Sequence, residues 1–295
     1  MTLSHVIMRE SCLLCGSQRW KILEAETRLI HSPEPHKVVR CERCTFTFLH
    51  PQPDSQSLAQ FYGKDDFYLA YAKKGIDYIG GSSQIPSYLE ERLSRLEALL
   101  RKGKLLDVGA GRGAFLHYAR GRNWQVWGVE PSEPATHYAK ERFDLEIFYG
   151  TVEQAGFTTE FFDAVHMNHV LEHLPNPLET LLEIRRILRK GGILAIEVPN
   201  EFGDLFQRLR SKILRRLPDP YEVPSSHLFF FTPFTLCRLL ERAGFSLMEL
   251  RTPRRNKDLE SRIPGGRIAK KLIYWAEEVF KKGPLIELLA RKAIG

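Results

Sequence analysis

The chain has 295 residues, of which 43% are apolar and 27% are charged. This composition fits a folded globular protein and excludes a low-complexity chain. No run of about 20 apolar residues could span a membrane, and the first residues lack the pattern of a secretory signal. The net charge of +7 lies in residues 251–295, which carry twelve basic and five acidic side chains. We therefore expect a cytoplasmic protein whose basic segment either faces phosphate groups or forms a solvated helix face.

Residues 1–50 contain four of the five cysteines, arranged as two Cys-x-x-Cys pairs. This spacing predicts a tetrahedral zinc site, and a metal would stabilise a segment too short to bury a large core. Four protein ligands leave no open coordination position, so the zinc is expected to be structural. An iron–sulfur cluster or free thiols are the alternatives. The predicted ligands are Cys12, Cys15, Cys41 and Cys44.

A connecting region over 51–85 leads into an alternation of predicted strands and helices over 86–252. The first helix is predicted in "IPSYLEERLSRLEALLRK", where leucines recur at helical spacing. The predicted strands are "KLLDVG", "WQVWGVE", "LEIFYG", "FFDAVHM", "ILAIEVP" and "SLMELRT". The further predicted helices are "GAFLHYARGR", "SEPATHYAKERF", "PLETLLEIRRILRKGG" and "TPFTLCRLLERAGF". This order predicts a Rossmann-like, doubly wound α/β sheet with a ligand site at the carboxyl ends of its strands.

The last part of the chain offers no convincing seventh strand, because "RRNKDLESRIPGG" is polar and rich in residues that break regular structure. Residues 253–295 are therefore predicted to form a basic helical tail.

Three glycines at alternate positions follow the first predicted strand, at 109, 111 and 113. Such a turn lets the backbone approach a ligand closely, but a dinucleotide site would show the longer GxGxxG spacing. Asp107, just before the turn, would repel a pyrophosphate and suits an ammonium group. Glu130, at the end of the second strand, could accept hydrogen bonds from two ribose hydroxyls. A ligand with adenosine, an amino-acid tail and no phosphate fits these features, and S-adenosylmethionine is that ligand.

These motifs resemble those of class I S-adenosylmethionine-dependent methyltransferases of the quinone and sugar type, over roughly residues 86–252. "LLDVGAGRG" and "VWGVEP" are similar to the family's first two motifs, "YGTVEQAGF" to its adenine-contacting segment, and "FDAVHMNHVLEHLPNP" to the segment after strand four. A zinc-binding amino-terminal module resembles one on sugar C-methyltransferases, and some ribosomal RNA guanine methyltransferases also carry one. The cofactor-binding residues that the resemblance implies are Asp107, Gly109, Ala110, Gly111, Gly113, Glu130, Pro131, Thr151, Val152, Asn168 and His169.

The segment after strand four also bears on the acceptor. Family members that methylate base or glutamine amines commonly carry Asn/Asp-Pro-Pro-Tyr there, whereas this chain has "HMNHVLEH". This favours transfer to oxygen or carbon of a small-molecule or carrier-linked acceptor, such as a sugar, quinone or secondary metabolite. His169, His173 and His227 are the candidate catalytic bases, because histidine titrates near neutral pH. A hydrogen-bonded structural role is the alternative for each and is favoured most for His169, so His173 and His227 are the preferred candidates.

Two other functions remain open. One is a ribosomal RNA methyltransferase that uses the zinc module and the basic tail to bind phosphates. The other is a non-catalytic binding protein that retains the fold.

An insert over 201–226 contains "FGDLFQRLRSKILRRL", which predicts a basic amphipathic helix at residues 202–217. Because it follows strand five, we expect it to form part of a lid over the acceptor site. Its charge would suit an acceptor that bears phosphate or is presented at the inner membrane surface, where the protein would bind peripherally. A packed helix with a solvated basic face is the alternative. RNA is the less favoured partner.

Overall fold

The computed structural model of the chain describes residues 6–27, 36–54, 58, 87–200, 227–254 and 275–293. The lid helix predicted over 202–217 and most of the connecting region predicted over 51–85 lie outside these residues and stay predictions. Within the described ranges, none of the helices combines the length and the apolar character that crossing a bilayer requires.

Thirteen strands are formed by the described residues. They are β1 (Val6–Ile7), β2 (Trp20–Thr27), β3 (His36–Cys41), β4 (Thr47–His50), β5 (Gln52–Pro53), β6 (Lys104–Val108), β7 (Gln125–Glu130), β8 (Ile147–Tyr149), β9 (Phe162–Asn168), β10 (Leu188–Pro199), β11 (Phe229–Phe230), β12 (Phe245–Arg251) and β13 (Leu285–Lys292). The helices are α1 (Ser87–Leu99), α2 (Ala114–Gly121), α3 (Glu133–Phe143), α4 (Pro177–Ile187) and α5 (Pro233–Arg242), with a short 3₁₀ turn at Leu171–His173.

The main sheet has seven strands in the order β12-β13-β10-β9-β6-β7-β8. The five strands from β6 to β10 run parallel in adjacent pairs, and most of the described connections between them are helices. The predicted Rossmann-like α/β fold is confirmed. The carboxyl ends of β6, β7 and β9 lie at one edge of the sheet, where this fold places its ligands.

The far edge of the main sheet differs from the prediction. Residues 285–292 were expected in a helical tail, but they form β13, which pairs antiparallel with β10 on one side and β12 on the other. Ile286, Leu288, Leu289 and Ala290 are fully buried, because a strand in this position is covered on both faces. The helical prediction is therefore wrong for this segment, and the missing seventh strand is found. Residues 275–279 are helical.

A smaller correction concerns α4. The helix was predicted to run to the glycine pair at 191–192, but it ends at Ile187, and β10 begins at Leu188. Leu188 is fully buried and pairs with Phe162 of β9. The buried position next to β9 outweighs the helix-favouring residues at 188–190.

A second sheet, in the order β11-β4-β3-β2, belongs to the cysteine-containing module. Its edge strand β11 comes from residues far along the chain and pairs antiparallel with β4, with Phe229 opposite Phe48. Phe46 stacks on Phe229 with a centroid separation of 5.5 Å. The module therefore packs against the larger domain through a shared sheet and an aromatic core.

Candidate functional site

The glycine turn after β6 has a backbone that only glycine adopts easily. Gly109, Gly111 and Gly113 have φ angles of +72°, +53° and +80°, in the left-handed region. A Cβ atom on Gly109 would lie 2.4 Å from Cγ2 of Val170. The turn therefore packs directly against the segment after β9 that carries the candidate catalytic histidine His173.

Glu130 is held by the backbone at the end of β7. The N–H of Gly111 donates to Oε2 of Glu130 at 2.8 Å, and the N–H of Ser132 donates to Oε1 at 3.0 Å. A carboxylate oxygen can accept more than one hydrogen bond. The acid predicted to bind ribose is thus fixed beside the glycine turn.

The other predicted cofactor residues surround the same strand ends. Ala110 donates its N–H to the carbonyl of Val129 at 3.1 Å, and Gly150 donates to the carbonyl of Glu130 at 3.0 Å. The second bond places Thr151, which is exposed, and Val152, which is buried, next to the end of β7. Pro131 directly follows Glu130 and is half-buried.

Asp107 lies in a buried network rather than facing solvent. Its Oδ1 lies 2.7 Å from Nδ1 of His166, and Nε2 of His166 lies 3.0 Å from the Arg92 guanidinium. Because Arg92 can only donate, Nε2 of His166 accepts its hydrogen bond. The hydrogen of the neutral ring is therefore on Nδ1, which donates a hydrogen bond to Oδ1 of Asp107. Arg92 therefore determines the tautomer of His166 and, through it, the placement of Asp107.

Arg92 also joins several other groups at the centre of the sheet. Its side chain is fully buried and contacts Glu197 at 2.6 Å, Glu287 at 2.8 Å and Oδ1 of Asn168 at 2.8 Å. Sequence reasoning missed Arg92, although an arginine between the leucines of the buried α1 stripe could have indicated a buried ion pair. The predicted cofactor residue Asn168 is thus oriented by an arginine from α1.

His169 is clamped between two buried carboxylates. Its Nδ1 lies 3.3 Å from Glu172 and its Nε2 lies 3.4 Å from Glu197. Burial opposes the charged imidazolium, but the two carboxylates outweigh it and raise the pKa of His169 to about 10. The structure therefore gives His169 a charged role beside the predicted cofactor site.

We expect this histidine to make the stability of the protein fall at high pH. Its folded-state pKa of about 10 exceeds the value of roughly 6.5 for an unfolded histidine. The stabilisation is therefore fully present below about pH 6.5 and is lost as the pH rises through the folded value, a change of roughly 3–5 kcal/mol. Denaturant unfolding of the protein and of His169→Asn across pH 6–10 measures it; asparagine tolerates the positive φ of this position. Parallel curves for the two proteins would contradict the assignment.

The two candidate bases lie together. The rings of His173 and His227 are 4.7 Å apart at an interplanar angle of 78°. His173 ends the 3₁₀ turn after β9, and His227 immediately precedes Leu228, whose N–H donates to the carbonyl of Glu172 at 2.8 Å. The structure thus brings together two histidines that are 54 positions apart in sequence.

Glu172 completes this cluster and was not predicted. Its side chain is buried, and its Oε1 lies 3.9 Å from Nε2 of His173. One carboxylate oxygen of Glu172 and one ring nitrogen of each histidine all lie within 4.8 Å of one another. Burial would raise the pKa of Glu172, but the neighbouring His169, His173 and His227 hold it below its usual value. An ionised carboxylate in this position can orient an imidazole and stabilise its protonated form.

The pattern that defines the family described as "Methyltransferase domain" matches residues 82–250, which is more than half of the chain. The chain belongs to the methyltransferase domain family.

Proteins of similar sequence agree with the assignment to the methyltransferase family. A ubiquinone biosynthesis O-methyltransferase of Aeromonas salmonicida is 27% identical over 50% of this chain and 64% of its own length. A tRNA U34 carboxymethyltransferase of Desulfotalea psychrophila is 30% identical over 55% of this chain and 52% of its own. The chain thus spans only about half to two thirds of these curated relatives.

The methyltransferase fold is also found in a solved structure. The crystal structure of an S-adenosylmethionine-dependent methyltransferase from Archaeoglobus fulgidus superimposes with a TM-score of 0.53. It is 22% identical and covers 77% of this chain and 99% of that one. The fold of the chain is that of class I S-adenosylmethionine-dependent methyltransferases.

We predict that Glu130→Ala weakens S-adenosylmethionine binding by this methyltransferase domain by roughly 2–4 kcal/mol, because two charge-assisted hydrogen bonds to ribose are lost. Isothermal titration calorimetry measures the change. Glu133→Ala is the matched control, since Glu133 is exposed on α3 and should leave the affinity unaltered. Equal affinity of the Glu130 variant and the parent would refute the ribose-binding role.

The four predicted zinc ligands lie outside the methyltransferase match and cluster tightly. Cys12 and Cys44 have Sγ atoms 3.5 Å apart, as have Cys15 and Cys41. All four donor atoms lie within 4.8 Å of one another. A tetrahedral zinc–thiolate site needs about 3.8 Å between sulfurs, whereas a disulfide needs about 2.0 Å. Burial raises the pKa of Cys12 to about 11 and also raises that of Cys44, whereas backbone N–H groups of Cys44 and Arg43 lower the pKa of Cys41 to about 7 against its own burial. The cluster fits a structural zinc ion.

We predict about one tightly held zinc ion per chain. Cys41→Ser should release it while cofactor affinity changes by less than about threefold, because the glycine turn lies in the methyltransferase domain. Cys237→Ser is the matched control, since that thiol lies on α5 outside the cluster. Elemental analysis that finds no zinc, or finds iron with visible absorbance, would overturn the metal assignment.

Proposed function

We propose that the chain is an S-adenosylmethionine-dependent methyltransferase that acts on oxygen or carbon of a small-molecule or carrier-linked acceptor of the sugar, quinone or secondary-metabolite type. The observation that carries the proposal is the group formed by the buried Glu172 and His227 with the half-buried His173, which lies next to the glycine turn because Val170 packs against Gly109. A hydroxyl or carbon acceptor needs such a base, because it must lose its proton in order to attack the methyl group.

S-adenosylmethionine, when bound, supplies an electrophilic methyl group. Asp107, the glycine turn and Glu130 would hold the amino-acid and ribose parts, and Thr151 and Val152 would contact the adenine. Asn168 and His169 would lie between the bound cofactor and the two candidate bases, His173 and His227. The remaining proposed contacts come from Ala110 and Pro131. Alignment of acceptor, methyl and sulfur is the main contribution of the chain to the rate.

Either His173 or His227 takes the proton from the acceptor. The acceptor oxygen or carbon would form its bond to the methyl carbon as the bond between that carbon and the cofactor sulfur breaks, so that S-adenosylhomocysteine leaves. The acceptor proton would pass to an imidazole nitrogen. Glu172 stabilises the imidazolium that results, because its carboxylate is buried and ionised next to both rings. The proton then leaves to solvent before the next cycle.

Two observations favour an RNA acceptor, which is the second candidate function. The Desulfotalea relative is a tRNA U34 carboxymethyltransferase, and exposed basic residues of the module, such as Arg19 and Lys37, could contact phosphates. The ribosomal RNA methyltransferase considered from the sequence would likewise act on RNA. A non-catalytic binding protein is the third candidate.

The surroundings of the acceptor site are also part of the proposal. The insert over 201–226 would cover the site, and together with the basic residues of 253–295 it would favour an acceptor that bears phosphate or is presented at the inner membrane surface. We propose a cytoplasmic location with such peripheral binding.

The deciding experiment incubates the purified protein and cell extract with methyl-labelled S-adenosylmethionine, and compares small-molecule and RNA fractions by mass spectrometry. Label in the small-molecule fraction on oxygen or carbon supports the proposal. Label that disappears after ribonuclease treatment establishes the RNA alternative, and binding without transfer establishes the non-catalytic one. Glu130→Ala serves as the cofactor-deficient control.

A further inference from the structure

The cysteine module and the candidate base share one strand. β11 completes the sheet of the module by pairing with β4, where Phe230 lies opposite Thr47. The N–H of Leu49 donates to the carbonyl of Leu228 at 2.9 Å, and Nε2 of Gln52 donates to the same carbonyl at 3.4 Å. His227 is therefore one residue from a backbone group that is held by the module.

Leu228 also reaches the other side of the catalytic cluster. Its N–H donates to the carbonyl of Glu172 at 2.8 Å, and Leu228 itself is fully buried. One peptide segment is thus bonded on one side to the module and on the other to the turn that carries Glu172 and His173.

The second cysteine pair shapes the strand that holds this segment. Cys41 ends β3, its N–H donates to the carbonyl of Phe46 at 2.9 Å, and its carbonyl accepts from Thr45 at 3.0 Å. β4 begins at Thr47, directly after this turn. The conformation of the Cys41–Cys44 turn therefore determines where β4 presents its edge to β11.

The first cysteine pair is tied to the methyltransferase domain as well. Arg242, at the end of α5, donates to the carbonyls of Leu13 and Leu14 at 2.9 and 3.0 Å; these residues lie between Cys12 and Cys15. Arg9 donates to the carbonyl of Pro175 and places its guanidinium 5.4 Å from the Phe229 ring centroid. The first cysteine pair is thus bonded to the end of α5, and the chain just before it contacts Pro175 and Phe229, each two residues from a candidate base.

We propose that metal binding by the four cysteines positions His227, so that the amino-terminal module is a positioning element of the acceptor half of the catalytic site. The cofactor half does not depend on it, because none of the described contacts of the module reaches the glycine turn or Glu130. This inference rests on the proposed function only in giving His227 its role as a base; the positioning itself is a structural statement.

The test uses the full chain with zinc bound and after removal by a chelator, and measures three quantities that need no turnover. They are the amide exchange rates of Leu49 and Leu228, the imidazole resonances of His227 and His137, and the affinity for S-adenosylmethionine. On metal removal we expect both amides to exchange roughly 10- to 100-fold faster and the His227 resonances to shift. His137 lies on α3, which packs at the opposite edge of the main sheet, so its resonances and the cofactor affinity should stay constant.

A paired set of variants keeps the zinc in place and weakens only the docking. Arg242→Gln removes the two bonds to the first cysteine pair and should accelerate Leu228 exchange roughly 3- to 10-fold. Arg238→Gln is the matched control, because Arg238 is exposed on the same helix and its cation–π contact is with Phe234 of that helix. The inference is overturned if His227 and Leu228 are unaffected by metal removal, or if cofactor affinity falls together with them. These readouts stay informative even if the acceptor proves to be RNA or if no transfer occurs.

Discussion

Replacing Arg92 with methionine is expected to lower the free energy of unfolding by roughly 3–5 kcal/mol, the usual cost of removing one partner from a buried charge group. Arg92 is fully buried and forms ion pairs with Glu197 and Glu287, which are themselves almost fully buried. Methionine fills much of the same volume but leaves these carboxylates with less compensating positive charge. Denaturant unfolding monitored by circular dichroism measures the difference.

Two further variants make the Arg92 prediction specific. Arg251→Met removes an ion pair with Glu91 in which both side chains are at least one-third exposed, and should cost less than about 1 kcal/mol. Adding Glu197→Gln to Arg92→Met should recover part of the loss, because the carboxylate that has lost Arg92 is removed while Glu172 still faces His169. If Arg92→Met and Arg251→Met destabilise the protein equally, the buried network does not hold the sheet as described.

Removing the catalytic base is expected to reduce the rate of methyl transfer by roughly 10²- to 10⁴-fold, the range for general acid–base catalysis. His173→Gln and His227→Gln each remove one candidate, and the variant with the larger loss in kcat identifies the base. Glu172→Gln should give a smaller loss, because it removes the charge that stabilises the imidazolium while leaving both rings in place. Rates are measured with the acceptor found by isotope labelling, and cofactor affinity is measured separately.

His117→Gln is the control for the base prediction. His117 lies on α2 and stacks on Phe143, away from the cluster, so its replacement should leave kcat within about twofold. Full activity in both His173→Gln and His227→Gln would show that the chain transfers methyl groups without a histidine base, and would favour an acceptor that needs no deprotonation.

The parts of the site that were predicted from sequence are those set by short stretches of chain. The glycine turn needs left-handed backbone within five residues, and Glu130 ends a strand that its own alternation indicates. The cysteine pairs are likewise local, since each Cys-x-x-Cys forms one half of a tetrahedral site. Such features can be recognised because the physical requirement and the residues that meet it lie together in the sequence.

The parts that were missed depend on contacts between distant residues. Arg92 meets Glu197 and Glu287 only after the sheet has formed, and nothing around any one of the three identifies the others. Leu285–Lys292 reads as a helix because its residues favour helices and, being buried on both strand faces, it shows no alternation. It forms a strand because it pairs with both β10 and β12. These partners lie far from it in the sequence, so the residues of the segment alone do not indicate the pairing.

The insertion of β13 between β10 and β12 imposes an order on folding. β12 cannot join the sheet until β13 has paired with β10, and β13 lies about ninety residues beyond the strand that it must find. During that interval the edge of β10 is open, and its "ILAIEV" run has the β-propensity and low charge of segments that pair with other chains. Until β13 pairs with β10, this edge is exposed to pairing with other chains, which favours aggregation of newly made chains during that interval.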